Sequence, residues 1–402
     1  SAAQRALRFV EKRTSEAMRI ASYDGLQVLV GPESTYDTAM EYWQYAGEIV
    51  SSRQALDVLD GDGLWKYDTE SLLRRLEGFG GYNEGDVFLY ESGMSAVYAV
   101  HRILSKLTPG KKTLQLDFPY VDVLKVQNNF ASGAVFLNEA EGELFDEALT
   151  RIRTGEFSAV FCEIPSNPLL RTVDIKKISN ACKEGNVPLV IDDTVASNFN
   201  VDVKPYADIV TSSMTKWVSG KGDVMAGGVQ LVKSSPFYGD LKAFFDEDCV
   251  DGSRLYAADA AVLDENSKGF LERIANVNES AEAIVEFLMQ NESVESVWYP
   301  RLSTKDEFDK LKREGRGYGG LISFCLSNDK KAPKLFDALE ISKGPSLGTE
   351  FSLACPYTLL AHYDELDWAA GCGVPENLIR ISVGNEGKEE LLKRFQSAFD
   401  QI

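Results

Sequence analysis

Residues Val187 to Val232 read VPLVIDDTVASNFNVDVKPYADIVTSSMTKWVSGKGDVMAGGVQLV. The stretch opens with a short apolar strand, Leu189 to Ile191, that ends on two carboxylates, Asp192 and Asp193. A second strand, Ile209 to Ser213, runs into Thr215, Lys216 and a glycine-rich segment, and a third, Gly228 to Val232, follows. Strand ends that deliver an acid and a lysine to one place meet the needs of pyridoxal phosphate. The lysine forms a Schiff base, and the acid keeps the pyridine nitrogen protonated so that the ring accepts electrons. A lysine beside a loop is otherwise an ordinary surface residue, so the weight rests on its surroundings.

Outward from this stretch, a strand–helix rhythm begins at Asp86. Strand-like runs cover 86–90, 113–117, 134–137, 158–162, 189–191, 209–213 and 228–232. Helical patterns such as Met94 to Leu107, Val121 to Asn129 and Ile175 to Glu184 separate the first five. Alternation of this kind predicts an α/β fold with a seven-stranded, mainly parallel sheet covered on both faces, and a ligand site at the carboxyl ends of its strands. After about residue 255 the rhythm changes. A helical stretch from Ala257 to Gln290 leads to runs 295–299 and 321–326, helix 333–340, a turn around Gly344 to Gly348, strand 378–382 and helix 387–401. This predicts a smaller C-terminal α+β domain. Residues 1 to about 60 look irregular apart from an amphipathic helix from Ala2 to Ser22, and they carry Tyr42, Trp43 and Tyr45. Such an arm is expected to pack on a partner subunit. The division is therefore 1–60 arm, 61–255 large domain and 256–402 small domain.

The chain has 402 residues and a formal net charge of −20, which disfavours nucleic acid or an anionic membrane as partner. No apolar run is long enough to span a membrane, and the charged start SAAQRALRFVEKR is unlike a secretory signal. The six cysteines lack CxxC spacing, which fits buried, reduced thiols in a cytoplasmic protein. With only His101 and His362, a metal site is not expected. Chemistry must rest on Lys, Tyr, Arg, carboxylates or a cofactor.

Four more stretches border the expected site. Tyr90-Glu-Ser-Gly-Met94 joins the first strand to its helix, where a glycine and free N–H groups suit phosphate. Tyr120 either stacks on a planar ring or packs. Asn167, in Glu163-Ile-Pro-Ser-Asn-Pro168, either donates a hydrogen bond or forms a turn. Arg380 interrupts an apolar strand and needs an anion, from the protein or from a substrate.

Together these motifs resemble the Cys/Met-metabolism family of PLP enzymes, the cystathionine γ-synthase and γ-lyase group. The resemblance runs from about Gly47 to the C-terminus through Ser92-Gly-Met94, Glu163-x-Pro-Ser-Asn-Pro168, Ile191-Asp192-x-Thr194, Ser213-x-Thr-Lys216, Ser346-Leu-Gly348 and Leu378-Ile-Arg-Ile-Ser-Val-Gly384. YWQYAGEIVSSR, FPYVDVLKVQ, DDTVASNFNVDV and SLGTEFSLACPYTLLAHY point to the fungal cystathionine γ-synthase branch. The resemblance implies fold type I, the aspartate-aminotransferase-like transferase fold, and pyridoxal 5'-phosphate as cofactor. It implies that Lys216 forms the Schiff base and carries protons, and that Asp192 pairs with the pyridine nitrogen. Tyr120 would stack on the ring and share in catalysis. Ser92, Gly93, Met94, Ser213 and Thr215 would hold the phosphate, and Asn167 would lie near the ring hydroxyl and the substrate carboxylate. Ser346 and Arg380 would bind that carboxylate. Arg53 would cross a dimer interface to the neighbouring phosphate.

Two departures bear on the substrate. Ser51 stands where the family usually carries a tyrosine, and the turn Ser346-Leu-Gly-Thr-Glu350 with Leu360-Ala-His362 differs from the usual pattern. The expected activity is γ-replacement on an O-acyl-homoserine-type substrate with a thiol such as cysteine. The alternatives are γ-elimination, a specialised γ-substitution of secondary metabolism, or a non-catalytic PLP-fold binding protein. The presence of Asp192, Lys216 and Arg380 argues against the last. A homodimer, paired into a tetramer, is the expected assembly.

Overall fold

The computed structural model describes residues 1–61 and 65–402; residues 62–64, inside the span expected for the large domain, lie outside the described residues. The arm is more regular than expected from its sequence. Its amphipathic helix is shorter, Ala2–Thr14, begun by a capping box between Ser1 and Gln4 and stopped by Ser15 in the left-handed region at φ 57°. A hairpin follows, with β1 (Arg19–Tyr23) antiparallel to β2 (Leu26–Val30). Its turn, Asp24-Gly25, has positive φ at both residues, the geometry that matches the twist of the flanking strands. Helices Tyr36–Ala46 and Ser52–Asp60 complete the arm. The expectation of an irregular segment with one helix reaching Ser22 is thereby corrected. Tyr42 is buried and donates its hydroxyl to Glu48, whereas Trp43 remains 51% exposed. Glu48 also accepts from Arg5 and Arg254, which fastens the arm to the body of the protein.

Seven strands form the large sheet: β3 (Val87–Tyr90), β4 (Thr113–Leu116), β5 (Ala134–Leu137), β6 (Val160–Glu163), β7 (Leu189–Asp192), β8 (Ile209–Ser213) and β9 (Gly227–Leu231). Their order is β3-β9-β8-β7-β6-β4-β5, with β9 antiparallel to both its neighbours and the others parallel. Alternate residues of the central strands feed two separate cores. Ala159, Phe161, Val190 and Ile209 pack with residues of helices Gly93–Leu107 and Tyr238–Asp248. Val160, Cys162, Leu189, Ile191 and Val210 pack with helices Gly142–Arg153 and Ile175–Gly185. Burial on both faces explains why these strands read as unbroken apolar runs.

The C-terminal sheet contains β10 (Val294–Trp298), β11 (Leu321–Leu326), β12 (Ser342–Lys343), β13 (Leu353–Pro356) and β14 (Ile379–Ser382), in the order β10-β11-β14-β13-β12. β12 and β13 are absent from the sequence reading, because two residues and a run closed by Pro356 show no strand period. The helical stretch Ala257 to Gln290 is two helices, Ala257–Ser267 and Phe270–Gln290, broken at Gly269. All six cysteines are unpaired and buried. Among the described residues no helix is long and apolar enough to cross a membrane.

Candidate active site

Parallel register brings three strand ends into line. Glu163 of β6 stands opposite Asp192 of β7, and Asp192 opposite Thr211 of β8. Asp192 accepts from the Thr194 amide at 2.9 Å and from the Thr211 hydroxyl at 3.0 Å. Burial raises its pKa against the lowering effect of these bonds. Its hydrogen-bond partners are neutral, and no cation pairs with it among the described residues. Glu163, buried beside it, is pushed well up, by burial first and then by the Asp192 charge, and it accepts from the Tyr120 amide. Asp193 points elsewhere and bonds the Ser212 hydroxyl.

Lys216 lies in the turn that follows β8. Its Nζ donates to Ser346 Oγ at 2.9 Å, and burial, helped by the Arg380 charge, lowers its pKa to about 8. The Ser346 turn approaches Lys216 closely because residue 348 is glycine. Gly348 has φ +77°, and a Cβ there would sit 2.6 Å from the Trp217 amide nitrogen. The glycine's own N–H donates to Ser382 of β14 at 2.8 Å.

Arg380 lies on β14, opposite Ser323 of β11 and Cys355 of β13, and is 3% exposed. Its guanidinium donates to Asn167 Oδ1 at 3.2 Å and to the carbonyls of Pro345 and Ser346. Every one of these acceptors is neutral. No protein carboxylate pairs with it among the described residues, and burial lowers its pKa. The Tyr357 ring covers it, with Cζ 4.8 Å from the ring centroid. A buried guanidinium without a counter-ion calls for an anionic ligand.

The expected phosphate residues gather where the helix Gly93–Leu107 meets the end of β8. A Cβ on Gly93 would lie 2.9 Å from Ser213 Cβ, so the glycine permits the approach. Ser92 caps that helix, accepting from Ser95 at 3.0 Å and donating to the Gly47 carbonyl at 2.9 Å. Met94 follows Gly93 in the first turn, whose N–H groups suit an anion. Thr215 exchanges hydrogen bonds with the Ala226 backbone, and the Ser213 amide donates to Thr194. Tyr120 stands at the start of helix Val121–Asn129, 44% exposed. Arg53 pairs with Asp259 of its own chain at 2.8 Å.

The residues present fit pyridoxal phosphate. Asp192 is a buried acid without a cation at the end of β7, Lys216 is a lysine of lowered pKa in the turn after the neighbouring β8, and Arg380, whose charge acts on Lys216, is a cation without an anion. The sequence reading assigned no role to Glu163, Thr194, Thr211 or Tyr357. All four lay inside stretches quoted above, but the place of Tyr357 over Arg380 comes only from the pairing of β13 with β14.

Residues 70–400 match the family of Cys/Met metabolism PLP-dependent enzymes. The chain is 41% identical over 329 residues to the cystathionine gamma-synthase of Neurospora crassa, covering 80% of this chain and 53% of that protein. It is 36% identical over 348 residues to the cystathionine gamma-synthase of Saccharomyces cerevisiae, covering 79% and 54%. The chain thus spans about half the length of the curated relatives it matches. Among solved structures, metB of Corynebacterium glutamicum superposes with TM-score 0.71 at 25% identity, over 82% of this chain and 84% of that one. This chain belongs to the Cys/Met metabolism family of PLP-dependent enzymes.

Proposed function

We propose that the chain catalyses replacement at Cγ of an O-acyl-homoserine-type amino acid by a thiol such as cysteine. The reading rests on one observation above all: Lys216, with its pKa lowered to about 8 by burial and by the Arg380 charge, hydrogen-bonds Ser346, whose carbonyl also accepts from the Arg380 guanidinium that lacks an anion. The names of the fungal relatives support the reaction class. Pyridoxal phosphate, when bound, supplies an electron sink that makes the hydrogens at Cα and Cβ acidic.

The protein's part follows from its residues. Gly93, Met94, Ser213 and Thr215 hold the phosphate, with Ser92 fixing the helix start and Arg53 of the partner subunit adding its charge. Tyr120 covers the ring face. Asp192 keeps the proton on the ring nitrogen. Arg380, steadied by Asn167 and the Ser346 turn, holds the substrate carboxylate so that the Cα–H bond stands across the ring plane. Lys216 takes the Cα proton, gives it up again so that its amine is neutral, and then takes a Cβ proton, as a base with a pKa near 8 can do near neutral pH. The Cγ–O bond breaks and the acyl group leaves as a carboxylate; the thiol gives up its proton to the medium as the Cγ–S bond forms, and Lys216 returns the protons it took to carbon. The arm 1–60, the large domain 61–255 and the small domain 256–402 then act as one subunit of a homodimer or dimer of dimers. Six unpaired buried thiols suit a cytoplasmic setting.

Incubating the holoenzyme with O-acetyl-L-homoserine, with and without cysteine, tests the reaction. The expected result is a thioether product with cysteine and little 2-oxobutanoate. Equal 2-oxobutanoate formation with and without cysteine overturns replacement in favour of elimination.

A further inference from the structure

Tyr357 begins the short helix Tyr357–Ala361 directly after β13 and is 4% exposed. Its backbone is held on both sides: its amide donates to the Leu378 carbonyl at 3.1 Å, and the Thr358 hydroxyl donates to the Pro375 carbonyl at 2.7 Å. The ring therefore has a fixed place against the guanidinium of Arg380, at 4.8 Å from centroid to Cζ. Its hydroxyl is buried and has no hydrogen-bond partner among the described residues.

That is unusual within this protein. Tyr42, Tyr90 and Tyr299 are as deeply buried, and each donates to a protein acceptor: Glu48, Asp248 and the Gly319 carbonyl. A buried hydroxyl left unpaired is costly, and one that stays unpaired beside a guanidinium without a counter-ion marks two halves of the same vacancy in bonding. An anion that met Arg380 would satisfy both. The ionisable groups acting on the Tyr357 hydroxyl are Arg380, Glu163, Tyr120 and Cys355. Two of them, Arg380 and Tyr120, belong to the site described above, and Glu163 stands opposite Asp192. Burial raises the phenol's pKa, so it stays a proton donor throughout the working range.

We propose that the Tyr357 hydroxyl is a second donor to the substrate carboxylate held at Arg380, and so a specificity-determining contact. The proposal rests on Arg380 as the carboxylate anchor. It explains why a phenol, whose aromatic face already serves the guanidinium, carries a hydroxyl that the protein leaves unused.

Tyr357→Phe keeps the ring and removes only the hydroxyl. The test compares two probes on PLP-loaded protein by the change in cofactor absorbance: L-norvaline, and n-butylamine, which is the same molecule without the carboxylate. The expected result is a Kd for L-norvaline raised about 10-fold, the scale of one hydrogen bond to a charged group, with the Kd for n-butylamine unchanged. The melting temperature should stay level or rise, since no protein partner loses a bond. An unchanged norvaline Kd overturns the proposal, as does an equal weakening of both probes. Arg380→Lys, measured in parallel, separates the layers of the argument. If it weakens norvaline alone while Tyr357→Phe does nothing, the Tyr357 contact is wrong and the anchor stands. If it too leaves norvaline unaffected, the anchor itself is wrong.

Discussion

Lys216 Nζ donates to Ser346 Oγ over 2.9 Å, a bond that joins the end of β8 in the large sheet to the turn ahead of β13 in the small one. The proposed base and the proposed carboxylate site thus come from two sheets, which the Arg380–Asn167 bond also joins. Replacing Lys216 by Ala should abolish turnover and the visible absorbance of covalently held cofactor, with circular dichroism unchanged. Normal turnover in Lys216→Ala would move the base elsewhere.

Asp192 should matter through its charge. Asp192→Asn keeps the shape and the bonds from Thr194 and Thr211 within reach but cannot hold a proton on a pyridine nitrogen. The rate should fall about 100-fold or more, several kcal/mol of lost transition-state stabilisation. Unchanged steady-state kinetics would shift the role to Asp193 or to another acid.

Arg380→Lys should raise KM for the amino acid by about 10-fold or more, because an ammonium cannot reproduce the planar fork. Cofactor content should not change. Were Arg380 only a brace for β14, the same sample would instead melt at a lower temperature with its KM intact.

Arg53 offers a test of shared sites. Mixing Arg53→Ala with Lys216→Ala chains should restore about a quarter of the sites, since half of the random dimers are hybrids and one of their two sites has both residues. No recovery after demonstrated subunit exchange would place Arg53 with Asp259 in its own chain only.

His101, 2% exposed on helix Gly93–Leu107, has its pKa lowered by burial to about 4. The unfolded chain takes up this proton near pH 6.5 and the folded chain does not, so stability should fall as pH drops between those values. The full contribution is about 3 kcal/mol. Thermal melting of wild type and His101→Gln from neutral pH to about pH 4.5 should show the shallower decline in the variant. Parallel declines would show that His101 protonates without unfolding.

The seven strands of the large sheet were legible in the chain itself. Burial on both faces forces unbroken apolar runs, and the chemistry at their ends, Asp192 and Lys216, stands out against them. Local grammar also marks the helix starts and the glycine turns. The Asp24-Gly25 hairpin was not read, because β1 and β2 are short, largely exposed strands whose residues show no clean inside–outside alternation. What the chain alone did not determine is which residues complete the site across distance. β13 is four residues long and ends on a proline, so only its pairing with β14 brings Tyr357 over Arg380, and only the register of β6 on β7 sets Glu163 beside Asp192. Strand pairing couples residues far apart in sequence and leaves no period within either partner, which is why tertiary structure had to decide it.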